Sequence, residues 1–175
     1  MFIKGKTISI RSIEPTDVDL LYNWENDQTL WKVSYTQTPF SKFVLEEFVN
    51  SIQDIYTTKQ LRLMINSIET NQTIGCVDLF EFEPQHARCG IGIFVHNDFR
   101  NKGYALECIE LIKNYCFTTL YLKQIFVHVN VSNEASLNLF EKAGFVKSGL
   151  KKCWHKNNLS TFEDVWFLQL INDED

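Results

Sequence analysis

Residues 91–105 constrain the chain most, because the sequence IGIFVHNDFRNKGYA joins an apolar segment to a polar one that ends in a basic turn. The first half is apolar and β-branched, which is typical of a strand. A helical pattern follows, and its apolar face consists of Ala105, Ile109, Ile112 and Cys116. The segment therefore predicts a strand, a short turn and a long helix in succession.

The predicted turn suits an anionic ligand. A helix start presents backbone N–H groups and the positive end of the helix dipole, and phosphate groups bind there readily. Arg100 and Lys102 add positive charge, and Gly103 lets the backbone come close to a ligand. The P-loop and G-x-G-x-x-G patterns are both missing. The turn predicts a pyrophosphate cradle, and a basic turn that is merely solvated is the alternative.

Composition favours one soluble globular domain. The chain has 175 residues, enough for one core, and its formal net charge of −5 argues against a nucleic-acid partner. Its five cysteines form no C-x-x-C pair, which indicates a reducing compartment and no disulfide framework. The sequence shows no signal-peptide pattern, no bilayer-length apolar run and no metal-ligand spacing of histidines. We therefore expect a cytoplasmic protein without a membrane partner or a metal.

Periodicity predicts the element order β-α-α-β-β-β-α-β-α-β-β. The predicted strands cover residues 7–13, 61–68, 73–82, 89–95, 124–131, 145–153 and 162–171. The fourth and fifth strands flank the long helix, so a right-handed crossover makes them parallel neighbours. We expect a single α/β (α+β) domain over residues 1–175, with a mixed central sheet of about seven strands and about four flanking helices.

Two motifs act together. Arg100-x-x-Gly103-x-Ala105 follows a strand, and Asn133-x-x-Ser136-x-x-x-Phe140-Glu141-Lys142-x-Gly144-Phe145 comes one strand later. At this separation and in this element order, the pair resembles the GNAT superfamily of acyl-CoA-dependent N-acetyltransferases over nearly the whole chain. Within it, residues 24–31, 75–81 and 139–145 look like the spermidine/diamine acetyltransferase group. The ribosomal-protein N-terminal acetyltransferases look similar over the same span.

The resemblance implies acetyl-CoA as the acyl donor. Its pyrophosphate would lie on the backbone of residues 101–105, which are Asn101, Lys102, Gly103, Tyr104 and Ala105, beside Arg100. Its pantetheine arm would run between the fourth and fifth strands, which must splay so that the arm's amides can pair with Ile93, Phe94 and Val95. Further cofactor contacts fall on Asn133, Phe140 and Lys142. Asn133 also fits a helix N-cap, and Lys142 fits a solvated cation.

The sequence departs from the family at two catalytic positions. Gly90 stands where the family often has a glutamate base, and Phe140 stands where it often has a tyrosine acid. Ser136 is then the candidate acid for the leaving thiolate, although a capping serine fits equally. Tyr104 and Tyr35 are weaker phenol candidates. The acidic residues Asp78, Glu81 and Glu83 are available as the base, of which Asp78 is the candidate, and water alone is the alternative.

The predicted acceptor site is acidic and aromatic. Glu25, Asp27 and Trp31 lie in the segment that shapes the acceptor pocket in this family, and a carboxylate beside an aromatic ring suits an ammonium group. Asp78 and Glu81 are further candidates, although a regular strand points them to opposite faces unless a bulge intervenes. For all five residues, a solvated loop or strand end is the alternative.

The predicted activity is transfer of an acetyl group to a primary amine, most simply a small polyamine or diamine. We expect direct attack, because no cysteine stands beside an evident activating partner. The alternatives are a protein N-terminal acetyltransferase, a non-catalytic CoA-binding module and a nucleotide-binding protein that uses the same turn. By analogy with related enzymes, a homo-oligomer, dimer or larger, is expected.

Overall fold

The computed structural model describes residues 3–34, 36–157 and 160–173. Within these ranges the chain forms eight strands and six α-helices. It divides into two compact units, one of residues 1–12 with 54–175 and one of residues 13–53. None of the helices in the described ranges has the length and hydrophobicity that a bilayer-spanning segment requires. The prediction of one domain over residues 1–175 stays a prediction.

The first unit is built on one mixed sheet. Its strands are β1 (Ile3–Lys4), β2 (Ile8–Ser12), β3 (Leu61–Ser67), β4 (Thr73–Glu83), β5 (Arg88–Val95), β6 (Gln124–Asn130), β7 (Val146–Lys156) and β8 (Phe162–Ile171). The spatial order is β1-β2-β3-β4-β5-β6-β8-β7, in which β5 and β6 are parallel and the other neighbours antiparallel. The predicted mixed sheet is confirmed. It has one strand more than expected, because the two-residue β1 is too short to show an alternating pattern.

Two helices cover one face of this sheet, α5 (Tyr104–Thr118) and α6 (Glu134–Lys142). They bury a continuous apolar cluster that includes Leu79, Ile91, Ile109, Val127, Leu137 and Phe140. Because side chains alternate along a strand, the intervening residues lie on the opposite face. We call this opposite face the second face, and it carries Asp78, Phe80, Gly90, Phe126, His128 and Phe167.

The remaining helices include two that the periodicity missed. The second unit contains α1 (Val18–Glu25), α2 (Gln28–Ser34) and α3 (Lys42–Asn50), and α4 (Ile55–Thr58) precedes β3 in the first unit. Ser41 caps α3, since its side chain accepts a hydrogen bond from the Val44 N–H at 3.2 Å. The predicted element order has two helices between its first two strands, whereas the structure has four between β2 and β3, and α4 spans barely one turn. The short lengths of α2 and α4 leave too few positions for a recognisable apolar stripe.

Candidate active site

β5 and β6 diverge from each other. Their parallel register consists of Arg88↔Gln124, Cys89↔Ile125 and Gly90↔Phe126, although β5 continues to Val95 and β6 to Asn130. The predicted splay is therefore confirmed, and its apex is the Gly90–Phe126 pair. The strands open into a wedge whose backbone N–H and C=O groups suit an extended ligand that carries amides.

The open end of the wedge leads to the start of α5. Gly103 precedes this helix with a φ of +82°, in the left-handed region, and Asn101 has a φ of +62°. A Cβ atom on Gly103 would have no neighbour within 4 Å, so the backbone conformation, rather than crowding, is what requires glycine here. No side chain in the described ranges caps α5 at this end. The first-turn N–H groups therefore face the turn, where an anion is favoured.

Two basic side chains accompany this helix start. Arg100 Nε donates to the Val95 carbonyl oxygen at 3.0 Å, which ties the turn to the end of β5. Lys102 Nζ lies 5.5 Å from the centre of the Phe99 ring. Both side chains are exposed. The structure thus brings the predicted cradle residues together at the open end of the wedge, next to Tyr104 and Ala105 in the first turn of α5.

The junction of β6 with α6 holds the other predicted motif. Asn133 Oδ1 accepts a hydrogen bond from the Ser136 N–H at 3.1 Å, so Asn133 caps α6. Ser136 is partly exposed, and its hydroxyl makes no hydrogen bond to any other residue of the described chain. The structure gives Asn133 the capping role that the sequence left open. The roles of Asn133 toward pantetheine and of Ser136 as acid stay predictions.

Two other predicted cofactor residues on α6 differ in exposure. Phe140 is only 2% exposed and packs edge-on against Phe145 with 5.2 Å between ring centres. A ring this buried has little surface left for a cofactor, which weighs against the predicted contact. Lys142 is exposed in the last turn of α6, where the helix dipole favours a cation. Tyr35 lies outside the described residues.

Asp78 on β4 forms a two-point ion pair with Arg62 on β3. Arg62 Nε lies 2.7 Å from Asp78 Oδ1, and Arg62 Nη2 lies 2.8 Å from Asp78 Oδ2. The pair engages both carboxylate oxygens, so Asp78 would have to give up a contact with Arg62 before it could accept a proton from an amine. This contact weighs against Asp78 as the base. The position of a residue in a strand does not reveal its partner on the neighbouring strand, here Arg62 on β3.

Glu81 interrupts the regular alternation of β4. The register with β5 shifts between Phe80 and Glu83, and Glu81 has a φ of +47°. The structure therefore contains the bulge that the sequence left as a possibility. Glu81 is exposed, and its charge acts on the imidazole of His128. Asp78 also lies on the second face, but of the two acidic candidates on β4 it is Glu81 whose charge acts on His128.

The ring of Phe80 lies against Gly90, the position where the sequence departs from the family. Phe80 pairs with Gly90 across β4 and β5, and a Cβ atom on Gly90 would lie 2.3 Å from Phe80 Cε2. The ring of Phe80 thus fills the space that a side chain at position 90 would need. Phe80 then meets Phe126 edge-on at 6.0 Å, and Phe126 meets Phe167 at 5.5 Å. The apex of the wedge is lined by aromatic rings instead of a carboxylate.

His128 is the residue that the sequence reasoning missed. Its ring lies 5.6 Å from that of Phe126 and 5.3 Å from that of Phe167, and its Nε2 lies 3.0 Å from Lys151 Nζ. Burial, followed by the Lys151 charge, lowers the pKa of His128 despite the opposing charge of Glu81. The neutral imidazole accepts the hydrogen bond of the lysine, because an ammonium can only donate. The alternation along β6 indicates which face of the sheet His128 lies on. It does not indicate a catalytic role, and the spacing of the histidines argues only against a metal site.

A second polar network joins the C-terminal hairpin to the β6–α6 junction. His155 Nδ1 lies 2.7 Å from Asn130 Oδ1, and Asn130 Nδ2 donates to Glu163 Oε2 at 3.1 Å. The other oxygen of Glu163 accepts from the Ser132 N–H at 3.0 Å. Burial lowers the pKa of His155. This network fixes the turn from which Asn133 begins α6.

The predicted acceptor residues at the start of the chain lie in the second unit. The Glu25 carbonyl oxygen accepts from Trp31 Nε1 at 2.9 Å, and Asp27 Oδ1 accepts from the Thr29 N–H at 2.9 Å. These contacts order the junction of α1 and α2. The roles of Glu25, Asp27 and Trp31 toward an acceptor stay predictions. In the described ranges, no group of three His, Cys, Asp or Glu residues is arranged to hold a metal ion.

A parallel strand pair that diverges beside a basic helix start defines the class of acyl-CoA-dependent transferases. Residues 7–146 match the family described as "Acetyltransferase (GNAT) domain". The chain therefore belongs to the GNAT acetyltransferase family and is an N-acetyltransferase that uses acetyl-CoA.

Spermidine acetyltransferases are among the relatives of the chain. The chain is 29% identical to the spermidine N(1)-acetyltransferase of Vibrio cholerae serotype O1 over 81% of this chain and 80% of that protein. It is similar to a crystal structure of spermidine N-acetyltransferase from Vibrio cholerae in complex with CoA and spermine. The TM-score is 0.86 and the identity 25%, with 95% of this chain and 96% of that chain covered. A dodecameric structure of the Vibrio cholerae enzyme matches with a TM-score of 0.78 and 25% identity, over 95% of each chain.

Proposed function

We propose that the chain transfers the acetyl group of acetyl-CoA to a primary amine of a small polyamine or diamine. The observation that carries this proposal is the contact between an amine and a neutral imidazole at the wedge apex, Lys151 Nζ to His128 Nε2 at 3.0 Å. Amine acetylation needs a group that accepts the amine's proton, and His128 supplies one. The spermidine acetyltransferases among the relatives support the polyamine class.

The direction of the wedge supports this placement of the reaction. The cradle lies beyond the C-terminal end of β5, where Arg100 and the start of α5 suit a pyrophosphate. A pantetheine arm that begins there and follows β5 leads back toward the Gly90–Phe126 apex. The apolar cluster under α5 and α6 closes the core face of the sheet. The acceptor amine therefore approaches from the second face, where His128 lies.

Two different residues serve the two proton transfers, one from the amine and one to the leaving thiolate. The rings of Phe126 and Phe167 favour a cationic amine through their π-faces, and His128 Nε2 takes the proton that the amine must lose. Ser136 has a hydroxyl that can return a proton to the leaving thiolate. Direct attack is supported by the cysteines. Burial raises the pKa of Cys108, and for Cys116 contact with Cys89 and burial do the same, so both thiols are poor nucleophiles.

Thiol release from acetyl-CoA across an amine panel tests this proposal. Spermidine, spermine and putrescine are expected to support turnover, and short peptides are not. His128→Gln should lower kcat for the polyamine by about 10²-fold, since positioned bases contribute at least that much. His86→Gln, at an exposed histidine, is the matched control and should leave kcat unchanged. Turnover with peptides alone would replace the proposal with protein N-terminal acetylation.

We also propose that the chain acts as a homo-oligomer in the cytoplasm. The dodecameric relative supports the assembly, and five cysteines that form no disulfide support the reducing compartment. Light scattering coupled to size-exclusion chromatography gives the mass of the assembly. A monomer at micromolar concentration would contradict this part of the proposal.

A further inference from the structure

We propose that Lys151 is an acetyl acceptor in its own right, so that the protein acetylates itself at this position. The inference rests on the proposed function, because it uses the same acetyl donor and the same imidazole. It concerns a residue of β7 to which the sequence analysis gave no role.

The surroundings of the Lys151 amine differ from those of its neighbours on β7. Lys151 Nζ lies 3.0 Å from His128 Nε2, 4.4 Å from the centre of the Trp154 ring and 5.8 Å from that of Phe167. In the part of the chain that the structure describes, no carboxylate forms an ion pair with it. The imidazole nitrogen is therefore the hydrogen-bond acceptor that this amine contacts, and it is a group that can take up a proton from the amine.

Two nearby lysines provide the contrast. Lys147 Nζ lies 2.7 Å from Glu141 Oε1, and Lys152 Nζ lies 3.0 Å from Asp164 Oδ2. Either amine would have to break its ion pair before it could attack a thioester. Lys152 is also the most exposed of the three, with 74% of its side chain accessible. Uncatalysed acetylation by acetyl-CoA in solution should therefore favour Lys152. Acetylation by acetyl-CoA bound at the wedge should favour Lys151.

The position of Lys151 on the sheet places its amine beside the apex. Lys151 pairs with Val165 on β8 and so projects on the second face, where His128 pairs with Phe167. The His128 ring contacts the Phe126 ring at 5.6 Å, and the backbone of Phe126 forms the last parallel pair with Gly90. The Lys151 amine thus contacts the His128 ring, and that ring contacts Phe126 at the apex, where the pantetheine arm is proposed to deliver its acetyl group.

The chemical step balances without a further reactant. The Lys151 ammonium loses one proton to His128 Nε2, and the freed Nζ lone pair attacks the thioester carbonyl carbon. The N–C bond forms and the C–S bond breaks, so the sulfur leaves with the bonding electrons and is protonated to the CoA thiol. The nitrogen releases its second proton, and the products are an acetamide on Lys151, CoA and one net proton in solution.

Mass spectrometry of the intact chain and of its peptides, after incubation with acetyl-CoA and no amine, tests the inference. Acetylation at Lys151 is expected to be at least about tenfold faster than at Lys152, since a positioned base contributes about 10²-fold or more. His128→Gln should remove most of this excess, and Lys151→Arg should abolish the modification at that peptide. If acetylation is intramolecular, its first-order rate constant will not change when the protein is diluted.

The same samples, assayed with spermidine, separate this inference from the proposed function. Spermidine turnover without acetyl-Lys151 would overturn the inference and leave the function intact. Equal acetylation of Lys147, Lys151 and Lys152 would overturn it as well, because that pattern reflects solution chemistry. Preferential acetylation of Lys151 without spermidine turnover would support the inference and contradict the polyamine substrate.

Discussion

The ring of Phe80 occupies the volume that a side chain on Gly90 would fill, with 2.3 Å between Phe80 Cε2 and the Cβ position of Gly90. Both residues lie at the apex of the wedge, where Gly90 forms the last parallel pair with Phe126. A side chain at position 90 therefore requires the Phe80 ring to leave its present position. The base that we propose, His128, lies on β6.

Gly90→Ala is expected to lower the free energy of unfolding by about 1–3 kcal/mol, because its methyl group forces the Phe80 ring to move. Phe80→Ala in the same chain should cancel part of this loss, so that the double variant is more stable than the sum of the single changes predicts. Urea denaturation of the four proteins measures the coupling. Additive effects would show that the two residues are not in steric competition.

Gly103→Ala should weaken acetyl-CoA binding as well as stability. A left-handed backbone costs a residue with a Cβ atom about 1–2 kcal/mol, and relief of this strain would distort the start of α5. Gly149→Ala is the matched control, since a Cβ atom there meets nothing within 4 Å and its φ is not positive. Calorimetric titration with CoA distinguishes the two. Equal affinities for the two variants would argue against a cradle at Gly103.

Arg100→Ala and Lys102→Ala should each raise KM for acetyl-CoA by about three- to tenfold, with little change in kcat. Charged hydrogen bonds to an anion contribute about 1 kcal/mol or more, and these residues lie away from the apex. Since screening weakens exposed charges, the difference from the parent protein should shrink at high salt. Lys4→Ala, at an exposed lysine on β1, is the control. A fall in kcat alone would contradict the assignment.

Asp78→Asn is expected to change stability more than catalysis. The ion pair with Arg62 is partly exposed, so its loss should cost about 1 kcal/mol. Arg62→Gln should cost a similar amount, and the double variant little more than either single change. Steady-state kinetics of the same proteins tests the alternative. A loss of about 10²-fold in kcat for Asp78→Asn alone would restore Asp78 as the base.

Stability is expected to fall as the pH drops from about 7 toward 5, before most carboxylates titrate. The pKa values of His128 and His155 are lowered in the folded chain, mainly by burial. Below the ordinary histidine pKa the unfolded chain therefore binds protons that the folded chain does not, which favours unfolding. Urea denaturation across this range measures the slope. His128→Gln and His155→Asn should each flatten it, and an unchanged slope would contradict the assignment.

The parts of the site that depend on neighbouring residues in the sequence could be predicted from the sequence. The strand, turn and helix over residues 91–105 follow from side-chain periodicity, and the glycine follows from the backbone of the turn. The parallel pairing of β5 with β6 follows from the crossover that joins them. Asn133 as a helix cap is likewise a short-range effect, because the hydrogen bond to Ser136 N–H spans three residues.

The sequence by itself thus determined the sheet with its two main helices, the basic turn before α5 and the family. The tertiary structure alone decided which side chains meet at and near the apex. The Phe80–Gly90 contact, the Arg62–Asp78 ion pair and the Lys151–His128 hydrogen bond each join different strands. Periodicity assigns a residue to a face, but its partner on that face depends on strand order, register and the bulge at Glu81. Those long-range relationships hold Asp78 in an ion pair and place His128 beside Phe126, so His128 replaces Asp78 as the proposed base.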